Sequence, residues 1–141
     1  MLETGFHGKT VLDMGSGTAV LAILAKKLGA THTVAIDNDE WAYRNAFTNT
    51  ELNGVSDIEI VLGDASSIQG SFDVVLANIN RNILLRDMHL YVAAMRPDAH
   101  IFFSGFYTED LESIKAEAEH LGLHYRRHLS RNNWVAAEFV K

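Results

Sequence analysis

The chain has 141 residues, 48% hydrophobic and 21% charged, with a net charge of -6 and no cysteine. That length suits one domain able to bury its own core, and the missing cysteines exclude disulfides, thiolate metal sites and a cysteine nucleophile. The acidic balance disfavours direct nucleic-acid binding, residues 2–5 lack the basic start of a leader, and the longest apolar run, residues 19–25, is far short of a membrane span, so a cytoplasmic protein is expected.

Residues 10–14 form a short β-rich run that carries Asp13 and enters the turn Gly15-Ser16-Gly17-Thr18. Residues 18–28 are apolar almost all round, with Lys26 and Lys27 at the end and Gly29 placed as a C-cap. This predicts a helix buried between a sheet and a second layer. Residues 33–36 read as the second strand, ended by Asp37, and residues 39–52 as a helix closed by Asn53-Gly54. Residues 58–62 and 72–77 are the third and fourth strands. Residues 81–95 carry Leu84, Met88, Tyr91 and Met95 at helical spacing. Pro97-Asp98 reads as a turn and residues 100–104 as the fifth strand. Thr108 is expected to cap a helix with Glu109, Asp110 and Glu112 in its first turn and Leu111, Ile114, Ala118 and Leu121 on its inner face.

Residues 123–129 and 134–140 are two strands joined by only four residues. So short a link makes a hairpin, not a parallel crossover. The expected fold class is therefore α/β: a Rossmann-like, mainly parallel sheet of about seven strands, helices on both faces, and a C-terminal antiparallel hairpin. There is no internal repeat and no linker, so residues 1–141 read as one domain.

A strand, a Gly-x-Gly turn, a helix and a second strand ending in an acid are how such a sheet holds an adenosine cofactor. The glycines let the backbone approach the ligand, and Asp37 is placed to accept from the ribose hydroxyls. The dinucleotide fingerprint G-x-G-x-x-G fails at Val20, and a pyrophosphate would sit poorly beside Asp13. A sulfonium cofactor has no phosphate, and its cationic groups suit Asp13. S-Adenosylmethionine is thus expected over NAD, held by Asp13, Gly15, Ser16, Gly17, Asp37 and Asn38. Asp64, after the third strand, would accept from the adenine amino group, with Ala65 against the ring.

Each acid also has a purely structural reading: Asp13 as a cap of the turn, Asp37 as a strand-ending acid, Asp64 as a turn former. Trp41 reads either as a cover for the adenosine or as a partly buried helix residue. Gly8-Lys9-Thr10 mimics the end of a phosphate loop, but Glu3 stands where the earlier glycine is required and the run precedes a strand. The seven histidines are scattered, and no metal site is expected.

With these residues assembled, the chain resembles the class I S-adenosylmethionine-dependent methyltransferases, and more narrowly the ribosomal protein L11 methyltransferase (PrmA) family. The narrowing comes from Ala77-Asn78-Ile79 after the fourth strand with Ser104-Gly105 after the fifth, and Trp134-Val135-Ala136 near the end also carries the resemblance. The resemblance implies methylation of protein amino groups, namely lysines and the N-terminal amine of a large-subunit ribosomal protein. It places Asn78 at the methyl-transfer site, both as a catalytic residue whose carbonyl orients the amine and as a cofactor contact. The run Asn78-Ile79-Asn80-Arg81 lacks the prolines and aromatic of the Asn-Pro-Pro-Tyr pattern, which disfavours an adenine-N6 target. A plain alternative is that Asn78 caps the helix beginning at Arg81.

Two departures stand out. Ala19 occupies the position of a third glycine, where its methyl either crowds the cofactor or packs into the helix; Asp98-Ala99 replace glycines of a turn. By the resemblance, an N-terminal substrate-recognition domain and a Gly-Thr-Gly-x-His loop would precede this region. The chain is thus expected to be the catalytic domain alone, with cofactor binding kept and recognition of the ribosomal protein lost. The rival functions are methylation of a small molecule or RNA on the same fold, cofactor binding without activity, and NAD-dependent redox chemistry. The sequence does not specify the oligomeric state.

Overall fold

Seven strands form one sheet in the order β3-β2-β1-β4-β5-β7-β6. They are β1 (Thr10–Met14), β2 (His32–Asp37), β3 (Ile58–Leu62), β4 (Phe72–Asn78), β5 (Met95–Tyr107), β6 (His124–Arg131) and β7 (Trp134–Val140). Only β7 runs against the others, because it pairs antiparallel with both β5 and β6. The computed structural model describes residues 5–55 and 57–141. Glu3 and the rest of residues 2–4, read above for a phosphate loop and a leader, lie outside the described residues.

The central strands are apolar on both sides because helices cover both faces. Helices α3 (Arg81–Ala93) and α4 (Leu111–His120) lie on one face, where Leu84, Met88, Tyr91, Ile114 and Ala118 pack with Val75, Ile101, Phe103 and Phe139. Helix α1 (Val20–Lys27) covers the other face through Ala25 against Val11, Val74 and Leu76. Its remaining side meets α2 (Glu40–Leu52) in a cluster of Ala19, Ala22, Ile23, Ala46 and Ile58. Helices α1, α2 and α4 stop alike: at the end of α1, the Gly29 N–H donates to the Lys26 carbonyl and the Ala30 N–H to that of Ala25. The same pair of bonds recurs at Gly54-Val55 and Gly122-Leu123, satisfying carbonyls that each helix end leaves open.

Several boundaries differ from expectation. Helix α1 begins at Val20, not Thr18, because Ala19 sits in the left-handed region at φ 68°. Helix α3 ends at Ala93, and Met95 already pairs with Phe72 at the start of β5. The next matched pair is Val74 with His100, so Pro97 and Asp98 form an excursion within a strand, with Asp98 at φ 67°. Thr108 does not cap α4; its hydroxyl donates to the Asn133 carbonyl at 3.2 Å, and a 3-10 turn, Thr108–Asp110, precedes the helix. The hairpin is tighter than read. Strand β6 continues to Arg131, and Asn132 and Asn133, both at positive φ, make the two-residue turn.

Strand order reverses between β1 and β4, and in open α/β sheets ligands bind beyond the strand ends at such a point. Asp13, Asp37 and Asn78 all lie at that end of the sheet. No described helix is long and apolar enough to cross a membrane.

Candidate active site

Strand β1 delivers the glycine turn onto the end of β2, where the Gly15 and Ser16 N–H groups both donate to the Ile36 carbonyl, at 2.8 and 3.0 Å. Gly15 has φ 69°, and a Cβ there would lie 2.7 Å from Ile79 Cγ1. Any side chain would thus be strained and would collide with the wall opposite. The Gly17 N–H donates to Asp37 Oδ2 at 2.8 Å, and the Asp39 N–H to Asp37 Oδ1 at 2.8 Å. Asp37 therefore holds the turn from the neighbouring strand.

Asp13 is 1% exposed. Its Oδ2 accepts from the Ala22 N–H at 3.1 Å, in the first turn of α1, while Oδ1 is buried without a partner. Burial raises its carboxyl to about 7; the Ala22 bond lowers it and the nearby Asp37 charge raises it further. Asp13 thus holds the first turn of α1, not the glycine turn that its structural reading named, and still leaves a buried oxygen with nothing to bind. A cationic ligand group would supply the missing partner. A pyrophosphate would instead add negative charge beside Asp13 and Asp37. The donor set fits a sulfonium amino-acid cofactor and does not fit a dinucleotide.

Ala19 is fully buried in the α1–α2 cluster with Ala22 and Ile23. Of its two readings, packing is the one realised. Among the described residues no group of three or more His, Cys, Asp or Glu side chains is placed to hold a metal ion.

Gly15, Asp37, Asn38, Asp64 and Ala65 line one pocket of about 90 Å³, walled also by Ile79, between β4 and α3, and Ile83 in the first turn of α3. Asp64 caps a short 3-10 turn, Ala65–Ser67, and hydrogen bonds from the Ser66 hydroxyl and N–H hold its carboxyl below the usual range. Both readings of Asp64 are therefore compatible with its place. Ser16 and Gly17 build the turn but do not line this pocket, and Trp41 is 66% exposed outside it. Reading the sequence missed Ile79, Ile83, Arg86, Asp87 and Tyr91 as pocket walls. They follow Asn78 directly, yet their spacing announces only a helix face.

A second, open cleft of about 830 Å³ lies beside the first, lined by Asn78, Ser104, Gly105, Leu129, Trp134 and Ala136. Ile79 lines both. Asn80, not Asn78, caps α3, accepting from the Ile83 N–H at 3.1 Å. The capping alternative for Asn78 is thereby removed. Instead Asn78 ends β4 opposite Ser104, whose hydroxyl donates to Asn78 Oδ1 at 3.2 Å. Trp134 is half exposed and rests on Tyr107, ring centroids 4.4 Å apart. Of the expected site residues, six line one or other cavity, and Asp13, Ser16 and Gly17 line neither.

The family model described as "Ribosomal protein L11 methyltransferase (PrmA)" matches residues 2–141. The chain belongs to that family. A ribosomal protein L11 methyltransferase of Bacteroides fragilis is 54% identical over 99% of this chain and 51% of its own length, and one from Porphyromonas gingivalis is 48% identical over 99% and 49%. The chain thus spans about half the length of the curated relatives it matches. The crystal structure of a ribosomal protein L11 methylase from Lactobacillus delbrueckii subsp. bulgaricus superposes with TM-score 0.90 at 29% identity, covering 93% of this chain and 69% of that one. The fold is that of the class I methyltransferases.

Proposed function

We propose that this member of the PrmA family is a methyltransferase domain that binds S-adenosylmethionine and transfers its methyl group to amino groups of ribosomal protein L11, in the cytoplasm where ribosomes are made. The observation that carries the cofactor is the buried, uncompensated Asp13 oxygen behind the glycine turn. The acceptor rests on the family and on the relatives' names.

In this reading Asp13, Gly15, Ser16 and Gly17 hold the amino-acid end of the cofactor, Asp37 and Asn38 the ribose, and Asp64 and Ala65 the adenine. Held there, the sulfonium group would supply an electrophilic methyl for the amine nitrogen, with sulfur as the leaving group that would take back the C–S electron pair. The chain's own work is alignment and desolvation. Asn78 Oδ1 accepts from an N–H of the amine and so points the nitrogen lone pair at the methyl. Leu129, Ala136 and Trp134 present apolar surface to the amine, and substrate seated in the open cleft would complete its desolvation. That favours the neutral form of a lysine amine, which otherwise titrates near ~10.4. The proton released after transfer leaves through the open cleft to solvent.

The test is thermal melting with S-adenosylhomocysteine and with NAD, followed by methyl transfer to purified ribosomal protein L11. Ligand at 100 times its Kd stabilises by about 2.7 kcal/mol, a rise on the order of 10 °C for a domain of this size. A rise with S-adenosylhomocysteine alone is expected, with methyl transfer appearing at high L11 concentration, since the chain spans about half the length of the relatives it matches. A rise with NAD alone would overturn the cofactor, and binding without transfer would reduce the domain to a cofactor-binding module.

A further inference from the structure

We propose that Ser104 is a positioning residue for methyl transfer, holding the Asn78 carboxamide in the one orientation that can receive the amine. This deepens the reading above, since it requires that Asn78 orient the acceptor.

Asn78 is the last residue of β4 and its side chain is exposed. An exposed carboxamide turns freely, and its two ends behave oppositely: the carbonyl accepts, the NH2 donates. A neutral amine must keep its lone pair for the methyl, so it needs an acceptor facing its N–H. An NH2 turned toward it would compete for that lone pair. The carbonyl must therefore be presented before the amine arrives.

Three features around Asn78 do this. The Ser104 hydroxyl, directly across the β4–β5 pairing, donates to Asn78 Oδ1 at 3.2 Å. That bond takes one carbonyl lone pair and leaves the second for the amine. The Ser104 backbone is itself pinned, because its carbonyl accepts from the Ile79 N–H at 3.0 Å. Gly105 then brings bare backbone against the carboxamide: a Cβ there would lie 2.8 Å from Asn78 Oδ1 and 3.0 Å from the Ile79 nitrogen. Both Ser104 and Gly105 line the same cleft as Asn78. Holding the carboxamide beforehand removes an ordering cost from the transfer step.

The test has two arms, each on the full chain and its Ser104→Ala and Ser104→Thr variants. The first measures 15N relaxation of the Asn78 side-chain amide without ligand. We expect Ser104→Ala to make that amide more mobile and Ser104→Thr, which keeps the hydroxyl, to restore it. The second measures methyl transfer to ribosomal protein L11 alongside S-adenosylhomocysteine binding. Loss of one hydrogen bond predicts a kcat roughly fivefold lower in Ser104→Ala, with Kd for S-adenosylhomocysteine and Tm unchanged and kcat recovered in Ser104→Thr. An amide as ordered in Ser104→Ala as in the wild type overturns the proposal. So does unchanged kcat, or a kcat loss matched by equal loss of ligand affinity. A wild-type chain that binds S-adenosylhomocysteine but transfers nothing overturns the proposed methyl transfer, whereas the amide mobility of Ser104→Ala tests the Ser104–Asn78 contact by itself, so the two failures are told apart.

Discussion

Gly17 and Asp37 stand twenty positions apart, yet the Gly17 N–H donates to Asp37 Oδ2 at 2.8 Å. The glycine turn and the acid after the second strand are therefore one unit, joined before any ligand arrives. Behind that unit Asp13 is buried with one oxygen unpaired.

Folding raises the Asp13 carboxyl from 3.8 to about 7. Between those values the folded chain keeps a proton that the unfolded chain has released. The associated stability is fully present below pH 3.8 and is lost as pH rises through about 7. The loss is on the order of 4 kcal/mol. Asp13→Asn is expected to raise Tm at pH 8 while weakening S-adenosylhomocysteine. In the wild type, that affinity should climb as pH rises toward 7 and then level off, with a proton released on binding. Calorimetry in buffers of different ionisation enthalpy reads this directly; affinity flat from pH 5.5 to 8 would sever Asp13 from the ligand.

Ala19→Gly is expected to be nearly neutral although Ala19 is fully buried. Relief of the left-handed backbone is worth about 1–2 kcal/mol and the lost methyl costs about 0.8 kcal/mol. Tm should move by only a few degrees. Because the methyl points into the α1–α2 cluster, affinity for S-adenosylhomocysteine should change by less than about twofold. A tenfold gain would show that the methyl crowds the ligand after all.

Gly105→Ala is expected to abolish methyl transfer. The new Cβ would meet Asn78 Oδ1 and the Ile79 backbone at 2.8 to 3.1 Å, at φ 89°. Backbone strain alone costs about 1–2 kcal/mol. Melting and activity should both fall, with activity falling further than the loss of folded protein explains.

Asn78→Ala is expected to lower kcat roughly a hundredfold, the scale of a misplaced reactant. Removing Asn78 leaves the α3 cap intact, since Asn80 supplies it. Tm should therefore stay within a degree or two, and an unchanged rate would remove Asn78 from the mechanism.

Glu138 is 3% exposed and sits between His100 Nδ1 at 2.7 Å and Arg127 Nε at 2.9 Å, away from the site. Burial alone would raise its carboxyl, but the His100 and Arg127 hydrogen bonds outweigh it and hold it low. Its stabilisation is present above the ordinary value of 4.5 and is lost as pH falls through the folded one. Glu138→Ala should cost about 2 kcal/mol, because His100 and Arg127 keep access to solvent, lowering Tm by several degrees with affinity for S-adenosylhomocysteine untouched. A larger effect on binding than on melting would contradict that separation.

What the sequence determines by itself is local. Strands and helices alternate because apolar periodicity and glycine ends are written within each element, and Gly29 and Gly54 end their helices as read. The acid–glycine turn and Asp37 announce an adenosine pocket because strand, turn and strand are consecutive. The tertiary structure decided the rest, wherever residues from distant elements meet. Register across β4 and β5 sets Ser104 opposite Asn78, 26 positions away. Helix α3 turns Ile83 and Tyr91 into the pocket, though its periodicity shows only an apolar face. The direction of the Ala19 methyl and the orphaned oxygen of Asp13 depend on where α1 docks on the sheet. A pattern along one chain carries the period of an element, but not its rotation or register against its neighbours, and those two quantities build the walls of the site.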